Sequence, residues 1–161
     1  MAQRAMIAMA LVCSPRLLIA DEPTSGLDVT IQAQVLDLIV ERVRQQAASL
    51  LLISHDMGVI AETCEEVIVM YAGTVMEYGP ARRVIHQPAN PYTYGLMSAF
   101  RRQEGDRMYF IPGQVPQLTQ VHRGCPFAER CEYATEICQN ERPSLQQISN
   151  DSYVACHHPL I

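Results

Sequence analysis

Two adjacent acids, Asp21 and Glu22, directly follow a short apolar segment, Leu17 to Ala20. A short apolar run between a proline and acidic residues predicts a parallel strand that is buried on both faces. Open α/β sheets bind ligands at the carboxyl ends of such strands. There Asp21 can hold Mg²⁺ through water, and Glu22 can orient or deprotonate an attacking water. As an isolated pair, the same acids would more often cap a helix or lie in a solvated loop.

Two further features favour chemistry at this edge. Ser25 to Asp28 form a tight turn with an acid three residues after a hydroxyl, and His55 follows a second apolar strand, Leu50 to Ile53. Because neighbouring parallel strands end close together, His55 is expected to approach Glu22 and the terminal phosphate of a nucleotide. A nucleotide-bound Mg²⁺ would offset the charge of the carboxylates.

A second group of residues with chemical potential is a set of four cysteines, Cys125, Cys131, Cys138 and Cys156, spaced as C-x5-C-x6-C-x17-C. Four thiolates close together suit an iron–sulfur cluster or zinc. The C-x2-C pairs typical of zinc ribbons are absent, which favours the cluster. The alternative is four unrelated thiols.

The remaining cysteines and histidines carry weaker signals. Cys13 and Cys64 lie in apolar helical segments and are predicted to be core residues. His157 and His158 can ligate metal, although a histidine beside a terminal cysteine is more often a surface neighbour. His86 and His122 have no supporting group of residues.

The elements expected to position these residues alternate between helix and strand up to about residue 79. Apolar spacing predicts helices over 2–13, 31–43 and 57–64, strands over 16–20 and 50–53, and a hairpin over 67–78 with Ala72-Gly73 as its turn. The predicted fold is α/β, a parallel sheet with flanking helices followed by a small cysteine-rich module. The predicted divisions are a partial nucleotide-binding domain over 1–79, a helical linker over 80–107 and the cysteine module over 108–161.

Composition limits the possible partners and compartments. The 161 residues carry a formal charge of −5, so no basic face is expected to bind nucleic acid. All 12 basic residues are arginine. The apolar N-terminal run resembles a secretion signal, but it leads into a second apolar run and an acidic pair instead of a cleavage site, which favours the cytoplasm.

The segment from Leu17 to Asp28 resembles the Walker B strand, catalytic glutamate and D-loop of ABC-transporter ATPases, and Leu51 to Asp56 resembles their switch-histidine strand. Gln3-Arg4 resembles the residues that follow the signature motif of that family. The resemblance implies that Asp21 coordinates Mg²⁺ and that Glu22 is the general base. It further implies that Ser25, Gly26 and Asp28 lie at the nucleotide, with Asp28 communicating across an ATPase dimer, and that His55 senses the γ-phosphate.

The C-terminal half resembles the extension found in oligopeptide and dipeptide importers of this family. The matching segments are Asn90-Pro91-Tyr92-Thr93, Ile111-Pro112-Gly113, the four cysteines, and Cys156-His157-His158-Pro159-Leu160. Asn90 departs from the histidine usual in the family and is expected to belong to helix packing. The resemblance implies a 4Fe-4S cluster and Mg·ATP as cofactors. It implies peptides as cargo, with nickel and cationic antimicrobial peptides as alternatives. It also implies membrane-spanning permease subunits and a second ATPase subunit as partners, on the inner face of the cell membrane.

The P-loop and the signature motif of that family have no counterpart in these 161 residues. The glycine-rich P-loop and its lysine, which grip the β- and γ-phosphates, are absent, and the chain has no lysine at all. We therefore expect a C-terminal fragment of such a subunit, without ATPase activity when isolated. The alternative is a non-enzymatic metal-binding remnant or a redox-sensing module.

Overall fold

The computed structural model describes residues 2–100, 110–116 and 123–160. The chain divides into two compact units, Met1–Thr63 and Cys64–Ile161. Each unit combines helices and strands, in agreement with the predicted α/β class. Residue 80, where the sequence predicts a boundary, ends a strand inside the second unit.

The first unit is built from two parallel strands and three helices. Its elements are α1 (Ala2–Leu11), β1 (Leu17–Asp21), α2 (Val29–Gln45), β2 (Ser49–Ile53) and α3 (Met57–Thr63). Strands β1 and β2 pair in register, with Ile19 opposite Leu51 and Asp21 opposite Ile53. The predicted helices and strands of this region are therefore confirmed, and both strands end at the same edge.

One face of this two-stranded sheet is buried and the other is exposed. Leu18 of β1 packs in one cluster with Val35, Ile39 and Val43, which recur along α2 at helical spacing. Ile19 on the opposite face is 60% exposed. The prediction that β1 is buried on both faces is wrong, because within the described residues of the first unit the apolar cluster covers a single face of the strand.

The second unit contains a four-stranded antiparallel sheet in the order β3-β4-β6-β5. Its elements are β3 (Glu66–Tyr71), β4 (Thr74–Pro80), α4 (Ala81–His86), α5 (Pro91–Phe100), a 3₁₀ turn (Ala128–Arg130), α6 (Glu136–Asn140), β5 (Gln146–Ser149) and β6 (Ser152–Val154). The predicted hairpin is confirmed as β3 and β4. Its turn residues Ala72 and Gly73 both have positive φ, 47° and 73°, as a tight two-residue hairpin turn requires.

A fully buried carboxylate, Glu77 of β4, organises the region where the sequence predicts a helical linker. Its oxygens accept hydrogen bonds from the backbone N–H groups of Ala89 and Asn90, at 2.8 and 3.0 Å, and from the Arg83 guanidinium at 3.2 Å. Asn90 in turn donates to the carbonyl oxygens of Met76 and Ala155. Asn90 therefore joins α5 to the sheet, which agrees with its predicted packing role.

Candidate functional site

The predicted approach of His55 to Glu22 is confirmed. The Nδ1 atom of His55 lies 2.8 Å from Oε1 of Glu22, beyond the ends of β2 and β1. The hydrogen bond to Glu22, reinforced by the attraction of its charge, raises the pKa of His55 above the usual 6.5. At this edge of the sheet, the Glu22 carboxylate can accept a proton and His55 can orient it.

The backbone places Glu22 at this edge by an unusual conformation. Glu22 has a φ of 46°, in the left-handed region that non-glycine residues seldom adopt. Its N–H donates to the carbonyl oxygen of Ile53 at 2.9 Å, and its own carbonyl accepts from Ser25 N–H at 3.1 Å. These two bonds turn the chain out of β1 and hold the carboxylate towards His55.

The other acids of the turn have different surroundings. Asp21 is exposed at the end of β1, and within the described residues its carboxylate makes no hydrogen bond or ion pair, so it is available to a cation. Asp28 is the N-cap of α2, where Oδ1 accepts from Ile31 N–H at 3.0 Å. Its carboxylate is therefore already engaged in capping within this chain.

Sequence reasoning missed the residue that holds the turn itself. The side-chain amide of Gln32, on the first turns of α2, donates to the carbonyl oxygens of Thr24 and Leu27 at 3.3 and 3.2 Å. Gly26 lies between them with a φ of 75°, a conformation natural to glycine. Nothing in the sequence distinguished Gln32 from the other glutamines of that helix, because the contact depends on how the turn folds back.

Four of the five cysteines of the second unit, Cys125, Cys131, Cys138 and Cys156, line one small cavity of about 20 Å³. A cavity of that size has room for about one water-sized body. Among the described residues, no three cysteine, histidine or acidic side chains are arranged as a metal-binding group. The structure thus brings the predicted thiols to one cavity without presenting a finished ligand set.

Backbone contacts determine how the cysteine segments approach one another. The N–H of Cys125 donates to the carbonyl oxygen of Cys138 at 2.7 Å. Gly124 passes so close to the carbonyls of Cys138 and Gln139 that a side chain would collide with them. Sequence reasoning missed this glycine, because a close backbone approach leaves no periodic signal.

Burial raises the pKa of the Cys125 and Cys131 thiols, and it raises that of Cys156 to about 11. Hydrogen bonds from backbone N–H groups lower the same pKa values. The N–H of Phe127 acts on Cys125, that of Tyr133 on Cys131 and that of His158 on Cys156. The His158 amide lies 3.3 Å from the Cys156 sulfur. Burial thus disfavours the thiolate form of these three cysteines, so a metal ion would have to displace their protons.

Arg130 is a further contact residue that no sequence pattern indicated. Its guanidinium donates to the carbonyl oxygens of Ile111 and Pro112, at 2.9 and 2.7 Å, and to the Tyr71 hydroxyl at 3.0 Å. Tyr71 packs edge-on against Phe127, with ring centroids 5.4 Å apart. Arg130 therefore ties the Ile111–Pro112 segment to the cysteine region and the hairpin.

The remaining cysteines that the sequence singled out, Cys13 and Cys64, lie outside these two sites. Cys13 is exposed, so its predicted core position is wrong: α1 ends at Leu11, and Cys13 lies beyond its buried face. Cys64 is half-buried. The side chains of Gln3 and Arg4, and His122 entirely, fall outside the described residues.

Comparison with known proteins gives consistent relatives along nearly the whole chain. Residues 76–138 match the family "Oligopeptide/dipeptide transporter, C-terminal region". The chain is 51% identical to the oligopeptide transport ATP-binding protein OppD of Salmonella typhimurium, over 99% of this chain and 48% of that protein. It is 45% identical to the dipeptide transport ATP-binding protein DppD of Escherichia coli, over 99% and 50% respectively. The chain therefore spans about half the length of these curated relatives.

A solved structure is also similar to part of the chain. CbiO1 from Clostridium perfringens, described as part of the ABC transporter complex cbiONQ, matches 52% of this chain and 34% of its own, at 33% identity with a TM-score of 0.49.

Proposed function

We propose that this chain, which belongs to the family of oligopeptide and dipeptide transport ATP-binding proteins, supplies the water-activating part of an ATP-hydrolysing importer subunit. The observation that carries the proposal is the 2.8 Å contact between His55 and Glu22, beside the unpaired carboxylate of Asp21. These three side chains stand at the carboxyl edge of β1 and β2, where open α/β sheets bind their ligands.

Each side chain has a distinct part in the proposed hydrolysis. Glu22 accepts a proton from the attacking water, and His55 orients the Glu22 carboxylate and presents a positive ring edge to the γ-phosphate. Asp21 would hold Mg²⁺, which supplies charge to offset the phosphates. Ser25 and Gly26 would approach the nucleotide from the turn that follows.

The proposed role of Asp28 is limited by its contact with the start of α2. Its Oδ1 already caps α2, so a role across an ATPase dimer would use the remaining carboxylate oxygen.

The chain on its own is expected to release no phosphate from Mg·ATP. It contains no lysine, and a P-loop with its lysine is what grips the phosphates in this family. Magnesium-dependent turnover by the purified chain, abolished by Glu22→Gln, would contradict this expectation.

A chimera tests Glu22 where hydrolysis is possible. The matched segment of the Salmonella typhimurium protein would be replaced by this chain, and ATP hydrolysis and peptide uptake measured with the companion subunits of that importer. Glu22→Gln is expected to lower hydrolysis by a factor of about 10² or more while nucleotide binding persists, since general bases contribute about 10²–10⁴. Glu41→Gln, an exposed change on α2, is the matched control. Equal hydrolysis by both variants would refute the role of Glu22.

The proposed subunit would work with membrane-spanning permease subunits and a second ATPase subunit, on the cytoplasmic face of the cell membrane. Its relatives are named for oligopeptide and dipeptide transport, which makes peptides the proposed cargo. Across the described residues, no helix has the length and apolar character needed to cross a membrane. The chain carries a net charge of −5, and nucleic acid is not among the proposed partners.

A second proposed function is a thiolate metal site formed by Cys125, Cys131, Cys138 and Cys156, holding a 4Fe-4S cluster or zinc. Their position around one cavity supports it, as do the backbone N–H groups directed at three of the sulfurs. Amide donors stabilise thiolate charge, which every such metal site requires. If the chimera does not hydrolyse ATP but the chain binds metal, the result favours the alternative hypothesis of a non-enzymatic metal-binding remnant or redox-sensing module.

Anaerobic purification with iron, zinc and sulfide analysis tests this site. The chain has no tryptophan, so the visible band of a cluster would stand out clearly against its weak protein absorption. Cys138→Ser is expected to remove the metal, whereas Cys64→Ser, outside the cavity, should retain it. Protein that binds neither iron nor zinc after reconstitution would refute the site.

A further inference from the structure

The short helix α6, which carries Cys138, is bound at both ends by consecutive histidines. Nε2 of His158 lies 2.7 Å from Oγ1 of Thr135, the N-cap of α6. Nε2 of His157 lies 3.0 Å from the carbonyl oxygen of Glu141, the C-cap of the same helix. The two residues that directly follow Cys156 therefore contact the two termini of the helix that carries Cys138.

We propose that His157 and His158 form a clasp that positions Cys138 and Cys156 around the thiol cavity, and that they are positioning residues instead of metal ligands. This inference rests on the proposed thiolate site, because holding the two thiols in place serves a function only if they bind a metal. The contacts themselves do not require a metal.

Thr135 connects His158 to Cys138. Threonine at an N-cap ordinarily accepts a hydrogen bond from a backbone N–H of the first helical turn, but the Thr135 hydroxyl makes no such bond. It contacts His158 instead, and it lies 3.8 Å from the Cys138 sulfur. The capping residue of α6 thus joins the histidine to the thiol.

The contact of His157 fixes its tautomer. A carbonyl oxygen can only accept, so His157 must carry its proton on Nε2 and donate to Glu141. His158 and Thr135 allow two arrangements. Either His158 Nε2–H donates to the Thr135 oxygen and the Thr135 hydroxyl to the Cys138 sulfur, or the Cys138 thiol donates to the Thr135 oxygen and the Thr135 hydroxyl to His158 Nε2. In both arrangements Thr135 joins His158 to Cys138. The backbone N–H of His158 meanwhile donates to the Cys156 sulfur at 3.3 Å. His158 therefore contacts Cys156 through its backbone N–H and is linked to Cys138 through Thr135.

The clasp accounts for contacts that metal ligation by the histidines would not. Both Nε2 atoms are already engaged with α6, and no metal-binding group that includes a histidine is present in the described part of the chain. His158 is exposed, so its ring adds little to the apolar core, and removing it should loosen the clasp without opening a cavity.

Hydrogen exchange on the full, reduced, metal-free chain tests the clasp directly. Thr135→Val and His158→Leu each remove one side of the same bond and are expected to speed exchange of the α6 amide hydrogens about fivefold. The double variant should add little beyond either single change, because both remove one interaction. Thr135→Ser and His158→Gln, which keep hydrogen-bonding groups, should remain near the wild-type rate, as should the exposed control Gln139→Ala.

Cobalt binding supplies a second readout and separates this inference from the proposed metal site. With Co²⁺ as the probe, the clasp variants are expected to bind about tenfold more weakly than wild type, judged by sulfur-to-cobalt charge-transfer absorption. Wild type that binds no cobalt, with exchange still dependent on the clasp, would overturn the metal site alone. Variants that match wild type in both exchange and cobalt binding would overturn the clasp. Faster exchange that Ser and Gln fail to rescue would also overturn it.

Discussion

His55 Nδ1 and Glu22 Oε1 lie 2.8 Å apart, although 33 positions separate the two residues in the chain. The parallel pairing of β1 and β2 creates this contact, because the register ends both strands together, with Asp21 opposite Ile53. Glu22 N–H then bonds to the Ile53 carbonyl, which fixes the two strand ends at the point where the side chains meet. The contact makes the protonation of His55 dependent on Glu22.

The pKa of His55 is expected to fall towards 6.5 in Glu22→Gln. In the native chain the hydrogen bond and charge of Glu22 favour the imidazolium and raise this pKa. The sign follows from linkage: the raised pKa contributes stability that is fully present below pH 6.5 and is lost as the pH rises through the folded-state value. NMR titration of the His55 ring protons measures this pKa in the wild type and in the variant. An unchanged midpoint in the variant would contradict the assignment, and Glu41→Gln is the control.

Asp28→Ala is expected to destabilise the first unit by about 1 kcal/mol, because the backbone N–H of Ile31 loses its capping acceptor. Asp28→Asn should retain most of the stability, since an amide oxygen can also cap. Urea unfolding followed by circular dichroism measures the difference. Asp37→Ala, an exposed change further along α2, is the matched control. Equal loss in Asp37→Ala would show that capping is not the cause.

Glu77→Ala is expected to cost about 3 kcal/mol in the free energy of unfolding. The change leaves the backbone N–H groups of Ala89 and Asn90 buried without acceptors and removes the partner of Arg83. Chemical denaturation measures the loss. Glu132→Ala, on an exposed turn, should change stability by less than about 0.5 kcal/mol. A Glu77 variant as stable as this control would show that the network does not hold the second unit together.

Gly124→Ala is expected to displace the Cys125 segment from α6. An added methyl group would collide with the carbonyl oxygens of Cys138 and Gln139, so the backbone must shift and its bond from Cys125 to Cys138 must lengthen. The measurements are the unfolding midpoint and Co²⁺ binding, both of which should fall. Arg123→Ala, the exposed neighbouring position, should leave both unchanged. Normal cobalt binding by the glycine variant would mean that this backbone approach does not shape the cavity.

Much of the local structure was predictable from the sequence. The helical spacing of Val35, Ile39 and Val43 predicted α2, and Ala72-Gly73 predicted the hairpin turn. Such patterns report interactions between residues near in sequence, so they need no knowledge of the whole fold. Strands β5 and β6 escaped because they are short and largely polar, and they are recognisable only through pairing with β4.

The sequence by itself determined which residues have the chemistry: adjacent carboxylates at a strand end, a histidine after the next strand, four clustered cysteines and no lysine. It also indicated the resemblance to the ATP-binding subunits of oligopeptide and dipeptide importers, through segments that run along most of the chain. Only the tertiary structure decided what each polar group contacts. In the tertiary structure Asp28 caps α2 and Glu22 contacts His55. His157 and His158 contact the two ends of α6. The physical reason is that a hydrogen bond depends on distances of a few tenths of an ångström between segments far apart in sequence, which only packing fixes.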